Sequence, residues 1–125
     1  EKTYHALVYG GPEQDSGTID APIARRELPS LLRYVNQSGK PSVTEFAVLQ
    51  RSERSCLLAL KPITGRTHQL RVHCAHPSGL DNPIVGDRLY GKAADRLMLH
   101  AAKLAFGDYE FTDLTGLGNY NLSSL

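Results

Sequence analysis

The chain has 125 residues, of which 41% are hydrophobic and 22% are charged, and its net charge is +1. This composition is that of an ordinary globular domain with one modest core, which excludes low-complexity and disordered classes. No apolar run approaches the roughly 18 residues that a membrane helix needs, and no signal-like stretch opens the chain. We therefore expect a soluble, cytoplasmic protein with no membrane contact, or an organellar one if the chain is a processed fragment.

The first predicted element is a strand over residues 3–9, whose residues are nearly all β-branched, aromatic or small apolar. The sequence Gly-Gly-Pro at 10–12 cannot continue a strand ladder. Because the strand shows little polar alternation, it is expected to be buried on both faces. A short extended piece follows at 18–20, and the stretch between Pro22 and Pro29 is expected to be irregular.

The middle of the chain predicts a β-hairpin. Residues 44–50 and 55–60 have the composition of strands, and the charged segment 51–54 joins them. The two cysteines, Cys56 and Cys74, lie in separate predicted elements, so they are expected to be reduced core residues rather than a disulfide.

A short helix is predicted after the hairpin, capped by Thr67 and running to about Ala75, with Pro77 preventing further extension. The segment 64–74 concentrates two arginines, two histidines and a glutamine, so it carries the densest chemistry of the chain. Further on, the apolar residues of 96–106 fit either a strand or a helix.

Positive charge is concentrated in one part of the chain. Between positions 51 and 71, arginines and lysine outnumber the single Glu53 to give a local charge of +4. A phosphate backbone would favour such a basic strip, although a short run of charge is more often a solvated face. The cations of the strip are Arg51, Arg54, Lys61, Arg66 and Arg71.

A metal site is the first alternative to consider, because His68, His73, Cys74 and His76 crowd one short segment. Adjacent residues of a helix point about 100° apart, so His73 and Cys74 would not share a ligand face. No Cys-x-x-Cys pair stands elsewhere in the chain. We therefore expect no metal.

Three separated motifs, in this order and spacing, resemble the RluA family of RNA pseudouridine synthases. They are KPITGRTHQLRVH at 61–73, PIVGDRLYG at 83–91 and RLMLHA at 96–101. The segment KTYHALVYG at 2–10 resembles the family strand that carries an essential tyrosine, and GKPSVTEF at 39–46 resembles another family block.

The resemblance implies an α+β fold with a mixed, largely antiparallel β-sheet and few helices, in which 96–106 is a strand. It implies isomerisation of uridine to pseudouridine in a structured RNA, with ribosomal or transfer RNA as the expected substrate. The family needs no cofactor, and RNA is the implied partner.

The family's catalytic aspartate lies in a His-Arg-Leu-Asp type motif upstream of the tyrosine strand, and nothing in this sequence matches it. Residues 1–125 are therefore expected to be the C-terminal portion of a catalytic domain, half of its core, which the missing N-terminal half completes. The isolated chain is expected to be inactive. The alternative is a catalytically inactive RNA-binding or scaffold fragment or paralogue of the same fold.

By the resemblance, Tyr4 and Arg71 are the catalytic residues of this chain. The ring of Tyr4 would stack on the target base and its hydroxyl would serve as a base or proton relay at C5. Arg71 would pair with the aspartate and keep it ionised, and would lack that partner within residues 1–125. The alternatives are a core tyrosine and a surface arginine.

The remaining candidate residues fall into three groups by role. For His68 and Gln69, anchoring the helix is an equal alternative to RNA binding, while His73, Asp87 and His100 are expected to hold loops in place. Apolar support behind the active site is expected from Leu97 and Leu99. The candidate RNA-binding residues are Arg51, Arg54, Arg66, Thr67, His68 and Gln69.

Overall fold

A computed structural model describes residues 2–27, 30, 32–106 and 109–112 of the chain, the nine positions from 102 onward by their backbone alone. Its elements, in chain order, are β1 (Lys2–Tyr9), β2 (Ser16–Asp20), β3 (Ile23–Arg25), β4 (Arg33–Val35), β5 (Val43–Arg51), β6 (Ser55–Pro62), α1 (Gln69–Ala75), β7 (Leu99–Phe106) and β8 (Tyr109–Thr112).

Six of the strands form one sheet in the order β2-β5-β6-β1-β7-β8, and β3 and β4 form a separate two-stranded ribbon. Every strand ladder between described residues is antiparallel. The predicted largely antiparallel sheet with few helices is confirmed. Helix α1 has seven residues, and no helix in the described ranges is long and apolar enough to cross a membrane.

The centre of the sheet is β1, which lies between β6 and β7. Four consecutive residues of β1, from His5 to Val8, are buried, as the lack of polar alternation predicted. In β6 the buried apolar residues alternate with partly buried ones, which is the period of two that a strand imposes on its faces. The completely buried apolar side chains of these two strands are Ala6, Leu7, Val8, Cys56, Leu58 and Leu60.

The hairpin and the cysteine predictions agree with the structure. The two hairpin strands are longer than predicted, with a bulge between Val48 and Gln50. Cys56 and Cys74 are free thiols with no exposed surface, and burial raises the pKa of Cys74 to about 12.

Two local predictions are wrong. The stretch after Pro22 is not irregular, because β3 pairs with β4 and Ile23 also exchanges two backbone hydrogen bonds with Lys40, at 3.0 and 2.9 Å. Thr67 does not cap the helix. The N-cap is His68, whose backbone is left-handed with φ 56°, and it forms no side-chain cap hydrogen bond.

A buried polar network joins α1 to β5. The Gln69 side-chain amide donates to Thr44 Oγ1 at 2.9 Å, and Thr44 Oγ1 lies 2.8 Å from His73 Nδ1. The other ring nitrogen of His73 lies 2.9 Å from the backbone oxygen of Ala21, which can only accept. His73 therefore carries its proton on Nε2, and the Thr44 hydroxyl donates to Nδ1. These bonds fix the orientation of the helix on the sheet, which is the structural role predicted for His73.

We expect Thr44→Val to lower the free energy of unfolding by about 2–4 kcal/mol, because it leaves buried atoms of Gln69 and His73 without one of their partners. Thr18→Val, at an exposed strand position, is the matched control and should change it by less than about 0.5 kcal/mol. Denaturant midpoints of the two variants measure the difference. Equal midpoints would show that the network contributes nothing.

Candidate active site

A cleft of about 270 Å³ opens at the end of the sheet where β6 stops and the chain turns into α1. Strand β1 brings Tyr4 to this end because it runs antiparallel to β6 and pairs Tyr4 with Leu60. Helix α1 follows β6 after a short connection, so its first turn lies at the same end. The cleft is lined by Tyr4, Pro62, Thr64, Gly65, Arg66, His68, Gln69, Leu70, Arg71 and Leu99.

The cleft therefore brings together both predicted catalytic residues, Tyr4 and Arg71. Of the two leucines predicted as apolar support, both pack against the hydrophobic core, and Leu99 but not Leu97 also lines the cleft. Tyr4 is partly buried, and the ladder with β7 shifts its register between Thr3 and Tyr4. A register shift of this kind re-aims side chains next to functional sites.

Arg71 has a carboxylate partner within the chain, which corrects the prediction that it would have none. Its Nε donates to Asp87 Oδ2 at 3.0 Å and its Nη2 to Asp87 Oδ1 at 2.6 Å. The Arg71 side chain is 18% exposed and that of Asp87 is completely buried. The hydrogen-bonded Asp87 raises the pKa of Arg71 above its ordinary value, which outweighs the opposing effect of burial.

Asp87 also organises the loop that contains it, as predicted. Its Oδ1 accepts the backbone N–H groups of Leu89 and Tyr90, at 3.1 and 3.2 Å. The preceding Gly86 has φ 82°, a backbone conformation that residues other than glycine rarely adopt. The carboxylate thus receives a bidentate cation and two backbone donors in a site without solvent contact, which is the arrangement that makes a buried charge tolerable.

Tyr90 is a site residue that sequence reasoning missed, although it lies in one of the quoted motifs. Its hydroxyl accepts the backbone N–H of Arg33 at 3.0 Å and lies 2.7 Å from His68 Nδ1. The Arg71 guanidinium lies 5.4 Å from the centroid of the Tyr90 ring. Tyr90 therefore connects the cleft residues His68 and Arg71 to the β3–β4 ribbon.

His68 is a neutral imidazole in this setting. Burial and the neighbouring charges of Arg71 and Arg33 lower its pKa, against a smaller opposing effect of Asp87. The Tyr90 hydroxyl can donate its proton to Nδ1, an arrangement that places the imidazole proton of His68 on Nε2. A neutral donor at the wall of the cleft is suited to a base or sugar oxygen.

Gln69 lines the cleft but its amide is engaged inside the protein. Its Oε1 accepts from the Thr64 hydroxyl at 2.7 Å and from the Arg66 backbone N–H at 3.0 Å. Its Nε2 donates to the Val43 carbonyl as well as to Thr44. Of the two alternatives for Gln69, these bonds favour the structural one, in which it fixes the connection between β6 and α1.

The basic strip predicted from the sequence is divided in space. Arg51 pairs with Cys56 at one end of the hairpin, and Pro62 pairs with Thr44 at the other, so roughly 20 Å of strand separates Arg51 from the cleft. The Arg51 guanidinium binds the backbone oxygens of residues 12–14 and the carboxylate of Asp15. Arg54 follows in the exposed loop at that distant end. A role for these two in RNA binding stays a prediction.

The predicted alternative of a metal site in and around the helix, at His68, His73, Cys74 and His76, finds no support in the described residues. Both ring nitrogens of His73 have protein partners, and Cys74 is completely buried. Across the described ranges, no three His, Cys, Asp or Glu side chains are grouped so that they could hold a metal ion.

An aromatic ring, a guanidinium and a neutral imidazole on one open cleft form a site suited to a nucleotide, by stacking and by hydrogen bonds to its polar edges. The chain belongs to the RNA pseudouridylate synthase family, whose model matches residues 1–76. The resemblance to the RluA family that the sequence motifs carried is confirmed.

Two curated relatives and one solved structure illustrate the similarity. Ribosomal large subunit pseudouridine synthase C of Vibrio parahaemolyticus is 41% identical over 114 residues, covering 85% of this chain and 36% of the relative. The dual-specificity RNA pseudouridine synthase RluA of Vibrio cholerae is 41% identical over 112 residues, covering 84% of this chain and 44% of the relative.

The solved structure is the human RNA pseudouridylate synthase domain containing 1, which superimposes with a TM-score of 0.77 at 34% identity. It covers 90% of this chain, which in turn covers 53% of that structure. The chain spans between 36% and 54% of the length of the curated relatives that it matches.

We expect Arg71→Met to lower the free energy of unfolding by about 3–5 kcal/mol, because it leaves the carboxylate of Asp87 buried without its cation. Arg88→Met, at an exposed position of the same loop, is the control and should change it by less than about 0.5 kcal/mol. Adding Asp87→Asn to Arg71→Met should recover part of the loss. An unchanged denaturant midpoint in Arg71→Met would contradict the structural role of the pair.

Acidification should destabilise the protein. Burial is the main cause that lowers the pKa of His5, His68 and His73, with the charge of His100 contributing at His5. The unfolded chain takes up these protons near pH 6.5, whereas the folded chain takes them up only at lower pH. Below about pH 6.5 the unfolding free energy should therefore fall, by at most about 1.4 kcal/mol per pH unit for each histidine.

Denaturant midpoints measured between about pH 8 and about pH 5.5 check this prediction, since that window lies above the range in which most carboxylates titrate. Stability that stays level or rises on acidification would show that these histidines are protonated in the folded state.

Proposed function

We propose that this chain supplies part of the active site of an RNA pseudouridine synthase, which isomerises uridine to pseudouridine in a structured RNA such as ribosomal or transfer RNA. The observation that carries the proposal is the convergence of Tyr4 and Arg71 on one open cleft. Family membership supports the same reaction. In the reaction the bond from the sugar to N1 of the base breaks, a bond from the sugar to C5 forms, and C5 loses the proton that N1 gains.

Arg71 is the residue that would hold the catalytic carboxylate. A guanidinium has five N–H donors, and the bonds to Asp87 use one on Nε and one on Nη2. The remaining donors can bind a second carboxylate, which would be kept ionised and oriented by the cation. Asp87 therefore fixes the position of Arg71 before the second carboxylate arrives. We propose that this carboxylate is an aspartate from the predicted N-terminal half of the catalytic domain.

Tyr4 would act on the base itself. Its ring can stack on the target uracil, and its hydroxyl can accept or pass on the proton that leaves C5. His68 would add a neutral hydrogen-bond donor at the wall of the cleft. Because the reaction moves a bond within one nucleotide and has no net oxidation or reduction, these groups and the aspartate need no redox cofactor.

We expect Tyr4→Phe in the whole protein to lower the rate of pseudouridine formation by roughly 10²- to 10⁴-fold, the usual contribution of a proton-transfer group. RNA affinity should change little, because the stacking ring remains. Tyr9→Phe removes a hydroxyl from the opposite end of the same strand and is the matched control. Release of tritium from 5-tritiated uridine in RNA under single-turnover conditions measures the rate.

The outcomes separate the alternatives. A full rate in Tyr4→Phe would show that the hydroxyl moves no proton in the reaction. Whole protein that binds RNA but forms no pseudouridine would favour the catalytically inactive scaffold instead.

A further inference from the structure

A second and larger groove, of about 450 Å³, lies beside the cleft and plays no part in the proposed chemistry. Its walls are the β3–β4 ribbon, the turn that leads to Lys40, and the connection between β6 and α1. The lining residues are Ile23, Ala24, Arg25, Arg33, Ser38, Gly39, Lys40, Gly65, Arg66 and Thr67.

The groove is strongly positive. Four of its lining residues are cations, namely Arg25, Arg33, Lys40 and Arg66, and none of the described residues that line it is acidic. Only Arg66 among the four belongs to the basic strip that the sequence indicated. The groove therefore gathers charge from parts of the chain that are far apart in sequence.

Two of these cations lie opposite each other on the ribbon. Arg25 and Arg33 are direct partners across the β3–β4 ladder. Like charges directly opposite each other on a strand pair are destabilising. A short ribbon that contains such a pair gains stability when an anion lies between the two side chains. This arrangement points to a ligand of negative charge.

Hydrogen bonds to backbone atoms hold the side chains of Arg25 and Arg66 and the backbone at Lys40. Arg66 Nε donates to the Pro41 carbonyl at 3.0 Å, and Arg25 Nε lies 3.4 Å from the Ser30 carbonyl. Lys40 is fixed at its backbone by the two hydrogen bonds with Ile23. The preceding Gly39 packs so closely that a Cβ there would lie 2.4 Å from the Ile23 carbonyl carbon. The groove is thus a preformed surface.

The groove and the cleft are continuous. Gly65 and Arg66 line both of them. The backbone N–H of Arg33, in the wall of the groove, binds the Tyr90 hydroxyl that contacts His68 in the cleft. A Cβ built on Gly65 would meet no atom within 4 Å, so the junction between groove and cleft is open. A chain molecule that lies in the groove can extend into the cleft.

We propose that this groove binds the phosphate backbone of the RNA immediately beside the target uridine, and that the distant Arg54 does not. The proposal deepens the proposed function and depends on it for the identity of the polyanion. Four cations on different elements, along an open groove that leads into a cleft, suit successive phosphates of one strand better than a single small anion.

The test compares charge-neutral variants of the whole protein that differ only in where the charge is lost. Arg25→Gln and Lys40→Gln remove exposed cations of the groove, singly and together, and Arg54→Gln removes an exposed arginine at the far end of the sheet. The measured quantity is the slope of log affinity against log salt concentration for a structured RNA. Each lost phosphate contact should flatten this slope by roughly 0.7–0.9.

The expected result is a slope flatter by roughly 1.4–1.8 in the Arg25→Gln, Lys40→Gln double variant and an unchanged slope in Arg54→Gln. Equal slopes in the wild type and the double variant would overturn the proposal, and so would an equal effect of Arg54→Gln.

The proposed function fails on a different observation, the absence of pseudouridine in RNA treated with wild-type protein. The salt slopes do not depend on turnover. A flattened slope with no product would therefore reject the enzyme and retain the RNA groove, whereas product with unchanged slopes would do the reverse.

Discussion

The bidentate pair between Arg71 and Asp87 is the interaction on which the rest of the site depends. It connects helix α1 to the loop after Gly86, and the same carboxylate accepts the backbone N–H of Tyr90. Tyr90 then binds His68 on one side and the ribbon on the other through Arg33. One buried ion pair thus fixes a helix, a loop, an imidazole and a strand ribbon relative to each other. Such pairs add little net stability compared with apolar packing, but breaking them is costly, so the geometry they impose is kept.

The sheet makes the cleft possible because its antiparallel order brings sequence-distant residues to one end. Tyr4, near the start of β1, pairs with Leu60, near the end of β6. Helix α1 begins a few residues after β6 ends. The network of Thr44, Gln69 and His73 then holds the helix on β5. The polar groups of this network are buried and satisfied by each other, so they specify a single orientation of the helix that apolar contacts alone would leave less defined.

Sequence patterns correctly predicted the features of the fold that depend on local composition. The buried run of β1 and the hairpin were predictable because apolar runs and turn residues reflect burial and chain reversal directly. The partner of Arg71 was not, because Asp87 lies 16 residues away and meets it only through tertiary structure. The β3–β4 ribbon escaped prediction because strands of three residues are too short to show a period. The cap was wrongly assigned since His68 takes a left-handed conformation that no side-chain preference predicts. The family motifs, including the β1 segment that contains Tyr4, indicated several of the residues that line the cleft, such as Arg71 and Leu99, and composition did not.

The facing arginines of the ribbon give ionic strength two opposite effects on this protein. Salt screens the repulsion between Arg25 and Arg33, so it should tighten the ribbon of the free protein. The same ions compete with a polyanion for the groove, so they should loosen the complex. A bound RNA strand would replace the salt ions in screening the repulsion between the two arginines. The ribbon should then be more stable in concentrated salt in the free protein and in dilute salt in the complex, so its local stability reports which of the two states is present.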